Sequence, residues 1–413
     1  MKIIFAVDPW IYRDVVGDQI YTLENIFIPS INALQKHGHN LKLLIGKDLA
    51  ETLQTKKLKI LCDLCVIPLK ELYAIYPNHY EAHRIQHQER ETAKQKKLFK
   101  ELVKKELGTW YPDVIISFTT PLSAWKKCYP KALAMQFENG IFSRAPYPYL
   151  CQLDPFGFSA KSFPHVFLKE LRKAQITPKQ IDRILQLKQG YEDKIFRPYN
   201  PIRKQELVDS ANQKIVLVPL SYNGVIINDS ASNYKSQLDF LLDVIYKVPK
   251  NIIILFTKHS LQMKGGIPQE TEEYLLRKFS NLRYHKKFDH YAFCSQWLTP
   301  IVDGVISLNS TVAYHGAFWG KKIFTLGRCE INSVATSDNL RNSEHYLSDA
   351  NNEYDCKAYN VLYHLLSRYC FSLKDFLNPA WLTERFEKLI RSQKSGKLES
   401  TFTGMPLSGD EDD

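Results

Sequence analysis

The segment from Asp303 to Gly327 constrains the fold of this chain more than any other part of the sequence. The apolar run 305–308 predicts a buried strand, the polar residues 309–311 predict a helix cap, and residues 323–326 predict a second strand. A helix N-terminus that presents backbone amides and hydroxyls favours an anion such as a phosphate group. The segment therefore predicts a strand–helix–strand unit of a nucleotide-binding layer, although an ordinary crossover with a good cap has the same pattern.

Strand-like and helical patterns alternate twice along the chain. Apolar runs at 3–7, 41–45, 65–68 and 114–118 are separated by helical patterns, and the alternation resumes at 214–219 and 252–257 after a polar segment at 198–212 that we expect to be a linker. We therefore predict an α/β chain with two Rossmann-like domains that face each other across a cleft. The expected domains are residues 1–205 and 206–394, followed by a disordered acidic tail at 395–413.

Charge and cysteine content narrow the class of protein. The 413 residues carry a formal net charge of +11, which favours an anionic partner, but no zinc-finger or RNP-like motif supports nucleic-acid binding. The eight cysteines are scattered and no apolar stretch has the length of a membrane span, so we expect a cytoplasmic protein with reduced thiols. The basic run 84–105 predicts a helix whose charged face is solvated. Its apolar face would rest against a core or an anionic membrane surface.

The first set of candidate site residues follows the apolar run at 132–135. Glu138 can serve as a general acid or base there, and Gly140 permits a tight backbone turn. We expect Asn139, Gly140 and Arg144 of this loop to line the cleft, together with Asp154 further along the chain. A structural ion pair between Glu138 and Arg144 is the alternative interpretation.

Two further loops follow predicted strands of the C-terminal half. Asp229 lies among amide and hydroxyl donors that keep a carboxylate ionised, as a nucleophile must be, although an Asn-Asp-Ser sequence is equally typical of a helix cap. Lys258 can neutralise a phosphate or carboxylate, and His259 can donate a hydrogen bond to a leaving phosphate. Asn309, Ser310 and Thr311 complete the set as the expected phosphate cap.

Several signatures of nucleotide enzymes are missing from the sequence. It contains neither the GxxxxGK[ST] loop of P-loop enzymes nor a GxGxxG fingerprint after the first strand, where Asp8-Pro9 stands instead. The Asp-x-Asp spacing occurs only in the acidic tail, so we expect no metal-bridged pyrophosphate. Kinase and dehydrogenase functions are therefore disfavoured.

Taken together, these loops resemble the capsule polysaccharide synthesis family, which includes the bacterial retaining β-Kdo transferases that use CMP-Kdo. The resemblance rests on Glu138-Asn139-Gly140, then Asp154-Pro-Phe-Gly, Lys258-His259 and Asn309-Ser310-Thr311, in the family's order over most of the chain. The chain departs from the family pattern at Ser221, where members carry Gln, and at Ser260, where they carry Pro.

The resemblance implies a GT-B-like glycosyltransferase with two Rossmann-like domains and with CMP held mainly by the C-terminal one. It further implies a retaining transfer of the acidic sugar Kdo onto a saccharide or lipid-linked acceptor, with peripheral contact to the inner membrane. Glu138 is then the general acid or base, Asp229 the nucleophile or stabiliser, and His259 and Lys258 contact the donor's anionic groups. We expect no cofactor and no metal, because the CMP-sugar is a substrate.

Two alternatives remain open at the level of sequence. One keeps the fold but replaces the donor with a UDP- or GDP-sugar, whose pyrophosphate the basic residues would meet. The other is a non-catalytic scaffold for polysaccharide assembly. The unusual loop at 219–232, which has Ser221 in place of Gln and is called the Ser221 loop, would suit such a scaffold.

Overall fold

A computed structural model of the chain describes residues 1–10, 17–221, 231–259, 266–291, 293–349, 353–398 and 402. Within those ranges the chain forms two compact units. The first unit comprises Met1–Gly140, Tyr149–Phe158 and the described part of Ser367–Asp413, and the second comprises Ile141–Pro148 and Ser159–Leu366. No helix in the described ranges is both long and apolar enough to span a membrane.

The first unit is built on a seven-stranded sheet. Its strands are β1 (Lys2–Val7), β2 (Asn40–Gly46), β3 (Asp63–Ile67), β4 (Val114–Phe118), β5 (Leu133–Asn139), β6 (Leu150–Asp154) and β12 (Cys370–Ser372). The strand order is β12-β6-β5-β4-β1-β2-β3, parallel from β5 to β3 and antiparallel where β6 joins β5 and β12. The strand order reverses between β1 and β4.

The helices of the first unit cover both faces of the parallel part of this sheet, which is why β1 is buried from Ile3 to Val7. They are Gly17–Thr22, Ile28–Lys36, Lys47–Thr55, Leu69–Ile75, His79–His87, Ala93–Leu107, Leu122–Cys128, Leu373–Phe376 and Pro379–Lys394. The basic helix Ala93–Leu107 begins with a capping box formed by Thr92 and Gln95. Its apolar residues Leu102 and Leu107 are buried in the core, so the core occupies the apolar face of this helix.

The second unit contains a five-stranded, fully parallel sheet. Its strands are β7 (Ile215–Pro219), β8 (Ile253–Thr257), β9 (Leu282–Arg283), β10 (Gly304–Ser307) and β11 (Lys322–Thr325). The strand order is β11-β10-β7-β8-β9. Its helices are Phe163–Val166, Leu168–Lys173, Pro178–Tyr191, Arg197–Tyr199, Gln237–Lys247, Gln269–Lys278, Cys294–Leu298, Val312–Phe318, Ser343–Ser348 and Glu353–His364.

The predicted α/β class with parallel sheets is confirmed. The apolar runs named above coincide with strands to within one or two residues at either end, except that β5 continues four residues beyond the run at 132–135. The two antiparallel strands β6 and β12 at one side of the first sheet were not predicted. β6 lies in a passage rich in proline and aromatic residues, which obscure a strand pattern, and β12 has only three residues, too few to show an alternating pattern.

The compact units do not follow the expected boundaries at residues 205 and 394. Because β12 pairs with β6, the chain after Ser367 belongs to the first unit. The expected linker at 198–212 lies inside the second unit, where Ile202 and Leu207 are buried and Lys204 Nζ lies 2.9 Å from the Asp303 carboxylate. Within the expected tail, Phe402 is buried with its ring 5.6 Å from that of Tyr369, and most of the remaining tail lies outside the described residues.

Candidate functional site

The strand order of the second sheet reverses between β7 and β10, and open parallel sheets bind ligands beyond the carboxyl ends of the strands at such a point. The chain leaves β7 through Leu220 and Ser221, and it leaves β10 through Leu308 and Asn309. The structure therefore brings Ser221 and the predicted phosphate cap to one edge of one sheet. Asp229, further along the Ser221 loop, lies outside the described residues.

The turn after β10 is formed differently from the predicted cap. Ser307 Oγ accepts a hydrogen bond from the Ser310 amide at 2.9 Å, and Ser310 Oγ lies 3.4 Å from the Val312 amide. Thr311 already has helical backbone angles and makes no side-chain cap at the start of the Val312–Phe318 helix. One amide that the sequence offered to a phosphate is thus used by Ser307, a buried residue that the sequence analysis did not single out.

Gly327, which follows β11, passes close to this turn. A Cβ atom at Gly327 would lie 2.2 Å from the Leu308 carbonyl oxygen, so only glycine permits the two chain segments to approach as they do. The close approach fixes where the chain leaves β10, immediately before Asn309. Asn309, Ser310 and Thr311 are each partly exposed at this position.

Lys258 and His259 follow β8, which lies beside β7. The Lys258 ammonium is 3.0 Å from the Glu272 carboxylate and 4.1 Å from the centre of the Tyr284 ring. Its charge is therefore balanced by Glu272, which the sequence analysis had not foreseen, whereas the His259 side chain is exposed. The Lys-His motif therefore lies at the carboxyl end of β8, with its lysine engaged by Glu272.

A hydrogen bond fixes the start of the Cys294–Leu298 helix at the end of β8. Thr257 Oγ1 and Ser295 Oγ are 2.7 Å apart. The same helix packs against β7 and against the Val312–Phe318 helix. Its N-terminus therefore lies at the carboxyl edge of the sheet, beside the two loops described above.

The segment Ile141–Pro148 joins the second unit through His315, a residue that the sequence analysis missed. His315 is fully buried in the Val312–Phe318 helix, with Nε2 2.7 Å from the Ile141 carbonyl oxygen and its ring 4.6 Å from that of Tyr147. Burial lowers the pKa of His315 to about 4. The imidazole is therefore neutral at physiological pH, and Nε2 carries the proton that it donates to Ile141. Only a buried helical pattern around His315 could have signalled this role.

Arg144 lies on the same segment and was expected in the cleft or in an ion pair with Glu138. Its guanidinium donates to the Ser143 carbonyl oxygen at 3.0 Å and lies over the Phe293 ring, 5.8 Å from the ring centre. Phe293 immediately precedes the Cys294–Leu298 helix. Arg144 and Phe293 thus belong to the face of the second unit that carries Thr257 and Ser295.

The Glu-Asn-Gly motif lies in the first unit, where Glu138 and Asn139 are the last residues of β5 rather than part of a loop. Glu138 pairs with Gln152 and Asn139 with Cys151 across the antiparallel ladder, and the Tyr149 hydroxyl donates to Asn139 Oδ1. Gly140 has no left-handed backbone angle. A Cβ at Gly140 would lie 2.9 Å from Leu150 Cβ, so close packing, rather than a tight turn, requires the glycine.

Asp154 is buried, which differs from its expected position in a cleft. One carboxylate oxygen accepts from the amides of Phe156 and Gly157 at 2.8 and 3.3 Å, and the other accepts from the Tyr369 hydroxyl at 2.6 Å. The Asp-Pro-x-Gly motif therefore forms a turn in which the carboxylate holds the backbone. This geometry supports a structural role for Asp154.

A buried pair at the end of β1 was also missed. Asp8 Oδ2 lies 2.7 Å from His83 Nε2, both side chains are buried, and Asp8 Oδ1 accepts from the Trp10 amide at 3.0 Å. The sequence signal was Asp8-Pro9 directly after an apolar run, at the position where a glycine fingerprint would stand. No group of three or more His, Cys, Asp or Glu side chains within the described ranges is arranged to hold a metal ion.

No known family model and no curated protein matches this sequence. Solved structures with similarity to the chain include a KpsC β-Kdo 2,7-transferase from Thermosulfurimonas dismutans, at 14% identity and a TM-score of 0.40, with 92% of this chain and 99% of that chain covered. A UDP-GlcNAc 2-epimerase from Neisseria meningitidis is similar at 13% identity and a TM-score of 0.38, with 95% and 100% covered. The glycosyltransferase SnogD from Streptomyces nogalater is similar at 12% identity and a TM-score of 0.36, with 94% of this chain and 99% of that chain covered.

Proposed function

We propose that this protein is a glycosyltransferase that moves an acidic sugar, Kdo, from CMP-Kdo to a saccharide or lipid-linked acceptor with retention. The observation that supports the proposal best lies in the second unit. Ser221, His259 and residues 309–311 follow the carboxyl ends of three adjacent strands, at the reversal of strand order. That is where open α/β sheets bind nucleotides.

The chemistry of CMP-Kdo suits the side chains on this edge. The donor carries a phosphodiester and a carboxylate, so it needs hydrogen-bond donors more than a metal-bridged pyrophosphate site. Exposed His259 donates to the departing phosphate, and the hydroxyls of Ser310 and Thr311 solvate it. The Lys258 ammonium would have to exchange Glu272 for an anionic group of the donor in order to bind it.

The anomeric centre of Kdo develops oxocarbenium character as CMP leaves, so the reaction needs a carboxylate. We assign Asp229 as nucleophile or stabiliser and Glu138 as general acid or base. Glu138 is partly exposed at the end of β5, which leaves its carboxyl group open to proton exchange. In a double displacement, Asp229 would bond to the anomeric carbon as the C–O bond to the phosphate breaks. The acceptor hydroxyl oxygen would then displace Asp229 while its proton passes to Glu138.

Any contact with an anionic membrane surface would rely on charge alone at the Ala93–Leu107 helix. Its residues Phe99, Leu102, Val103 and Leu107 are buried in the core, so they are not available for insertion into lipid. The lysines of the helix remain on its outer face. We therefore propose cytoplasmic action with at most electrostatic attachment to the inner membrane, and no nucleic-acid partner.

The test combines nucleotide binding with turnover. We expect CMP to raise the melting temperature and UDP and GDP not to, since a ligand at a hundredfold excess over its Kd adds about 2.7 kcal/mol of stability. Wild-type protein should also release CMP from CMP-Kdo in the presence of a Kdo-accepting saccharide. Stabilisation by UDP or GDP instead would replace the donor, and no stabilisation by any of the three would support a scaffold.

The variant Glu138→Gln tests the assigned carboxylate. It preserves the shape and the ladder pairing with Gln152 but removes the titratable proton, so we expect a loss of about 10²–10⁴-fold in kcat. Stabilisation by CMP should remain at the wild-type level, because CMP binding is assigned to the second unit. Full turnover in Glu138→Gln would remove this residue from the mechanism.

A further inference from the structure

Phe293 is the one exposed phenylalanine of this chain. All 22 phenylalanines lie in the described residues, and the other 21 are buried or partly buried, whereas Phe293 keeps 42% of its surface exposed. A phenyl ring has no polar group that gains from water, so its exposure costs free energy. The next residue, Cys294, is buried, which shows that the helix itself packs inward while the ring does not.

The backbone of Phe293 is also held in an unfavourable conformation. Its φ and ψ angles are 57° and 36°, in the left-handed region that large side chains rarely adopt. Such strain persists where surrounding contacts impose it, and it concentrates at ligand sites. Here the Thr257–Ser295 hydrogen bond fixes the start of the helix, and the Arg144 guanidinium lies over the ring.

The position of the ring points to a ligand. Ser295 is tied to the last residue of β8, and the same helix contacts β7 and the Val312–Phe318 helix, so Phe293 belongs to the carboxyl edge of the second sheet. Two strand spacings, about 10 Å, separate β8 from β10 and its phosphate-side residues 309–311. That separation is comparable with the size of a nucleoside monophosphate.

We propose that Phe293 is the stacking platform for the nucleobase of the donor, with Arg144 supporting the ring from one face. The inference rests on the proposed function and adds the residue that binds the base. Every base has a π-face that stacks on an aromatic ring, and the Arg144 cation over the ring keeps the side chain in place. Recognition by stacking alone accepts pyrimidine and purine bases, so discrimination between bases must come from other contacts.

The test compares a nucleotide with the same molecule without its base. Titration calorimetry of the full-length chain would use CMP, UMP and GMP, and ribose 5-phosphate as the base-free probe. Phe293→Leu retains an apolar side chain but removes the π-face, and we expect it to weaken the best-bound nucleotide about tenfold or more while the response to ribose 5-phosphate stays unchanged. Phe293→Tyr retains the π-face and should bind as wild type does.

Tyr246→Leu is the matched control, because Tyr246 is 69% exposed in the same unit but lies near the end of the Gln237–Lys247 helix, by the amino edge of the sheet. It should bind like wild type. Equal nucleotide affinity in Phe293→Leu and wild type would overturn the platform, as would an equal weakening of ribose 5-phosphate. Absence of nucleotide binding by wild type would instead overturn the proposed function, and the platform with it.

Discussion

At the scale of single residues, His315 shows how a buried histidine can organise a loop without taking part in chemistry. Its Nε2–H donates to the Ile141 carbonyl, and its ring packs against Phe142 and Tyr147. Burial, rather than this hydrogen bond, keeps the imidazole neutral in the folded state, because the charged ring could donate the same bond. Protonation of the unfolded chain therefore competes with folding.

We predict that stability falls in acid because of His315. Its folded pKa, about 4, lies below the ordinary value of 6.5, so the unfolded state binds more protons between these values and stability rises with pH across that window. The contribution is complete above pH 6.5 and is lost as the pH falls to 4, about 3 kcal/mol in all. Urea unfolding of wild type and His315→Gln from pH 4 to 7 should give a steeper wild-type dependence.

Exposed His345 in the same unit supplies the control, since His345→Gln should leave the pH dependence of the free energy of unfolding as it is in wild type. Parallel pH profiles for wild type and His315→Gln would show that the buried imidazole titrates normally. In either case the glutamine side chain can still donate a hydrogen bond to the Ile141 carbonyl, which limits any loss of stability that does not come from proton binding.

At the scale of elements, the Val312–Phe318 helix approaches its sheet through a glycine. A Cβ at Gly316 would lie 2.6 Å from Val305 Cγ2 and 2.9 Å from Ile323 Cδ1. The helix therefore sits close to β10 and β11, and this spacing sets the height of residues 309–311 above the sheet. A larger side chain must push the helix away from both strands.

We predict opposite effects of alanine at two helical glycines of the second unit. Gly316→Ala should destabilise by about 1–3 kcal/mol, because the added methyl group overpacks the helix–sheet interface. Gly190→Ala, in the Pro178–Tyr191 helix with nothing within 4 Å of the added Cβ, should stabilise by about 0.5–1 kcal/mol. Denaturant unfolding of both variants checks this, and equal effects would contradict the close approach at Gly316.

Elements with a clear apolar pattern could be predicted from the sequence, whereas contacts between distant segments could not. The strands β1, β4, β7 and β10 follow from largely apolar runs, which contain a serine in β4 and in β10. The ion pair of Lys258 with Glu272 and the buried Asp8–His83 pair join residues 14 and 75 positions apart, and no local pattern reports such pairings. Sequence position located the loops of the candidate site, but it did not show which of their groups are already engaged.

At the scale of the whole molecule, the chain passes between its two compact units more than once. The first unit ends at Gly140, resumes at Tyr149–Phe158 and is completed only after Ser367. The late part brings β12 and the helix Pro379–Lys394, whose Leu382, Phe386 and Leu389 are buried. Phe376 joins them by packing 5.0 Å from Phe137 of β5.

We predict that a chain truncated after Leu366 loses the first unit as a cooperative structure. Truncation would expose the apolar surface that Phe376 and the Pro379–Lys394 helix cover, and burial of one such side chain contributes about 1.5–3 kcal/mol. The truncated chain should bind the dye ANS and exchange the amides of β5 and β6 rapidly. Retention of protected β5 amides would contradict the assignment of the C-terminal helix to the first core.

The return of the chain to its first sheet has a consequence for biosynthesis. A ribosome releases residues in order, at roughly 5–20 per second, and domains fold as their residues become available. The segments of the second unit, Ile141–Pro148 and Ser159–Leu366, are all released before Cys370–Ser372. The later unit in the sequence can therefore finish folding first, while the nascent N-terminal sheet waits with an unpaired β6 edge for the last residues to be translated.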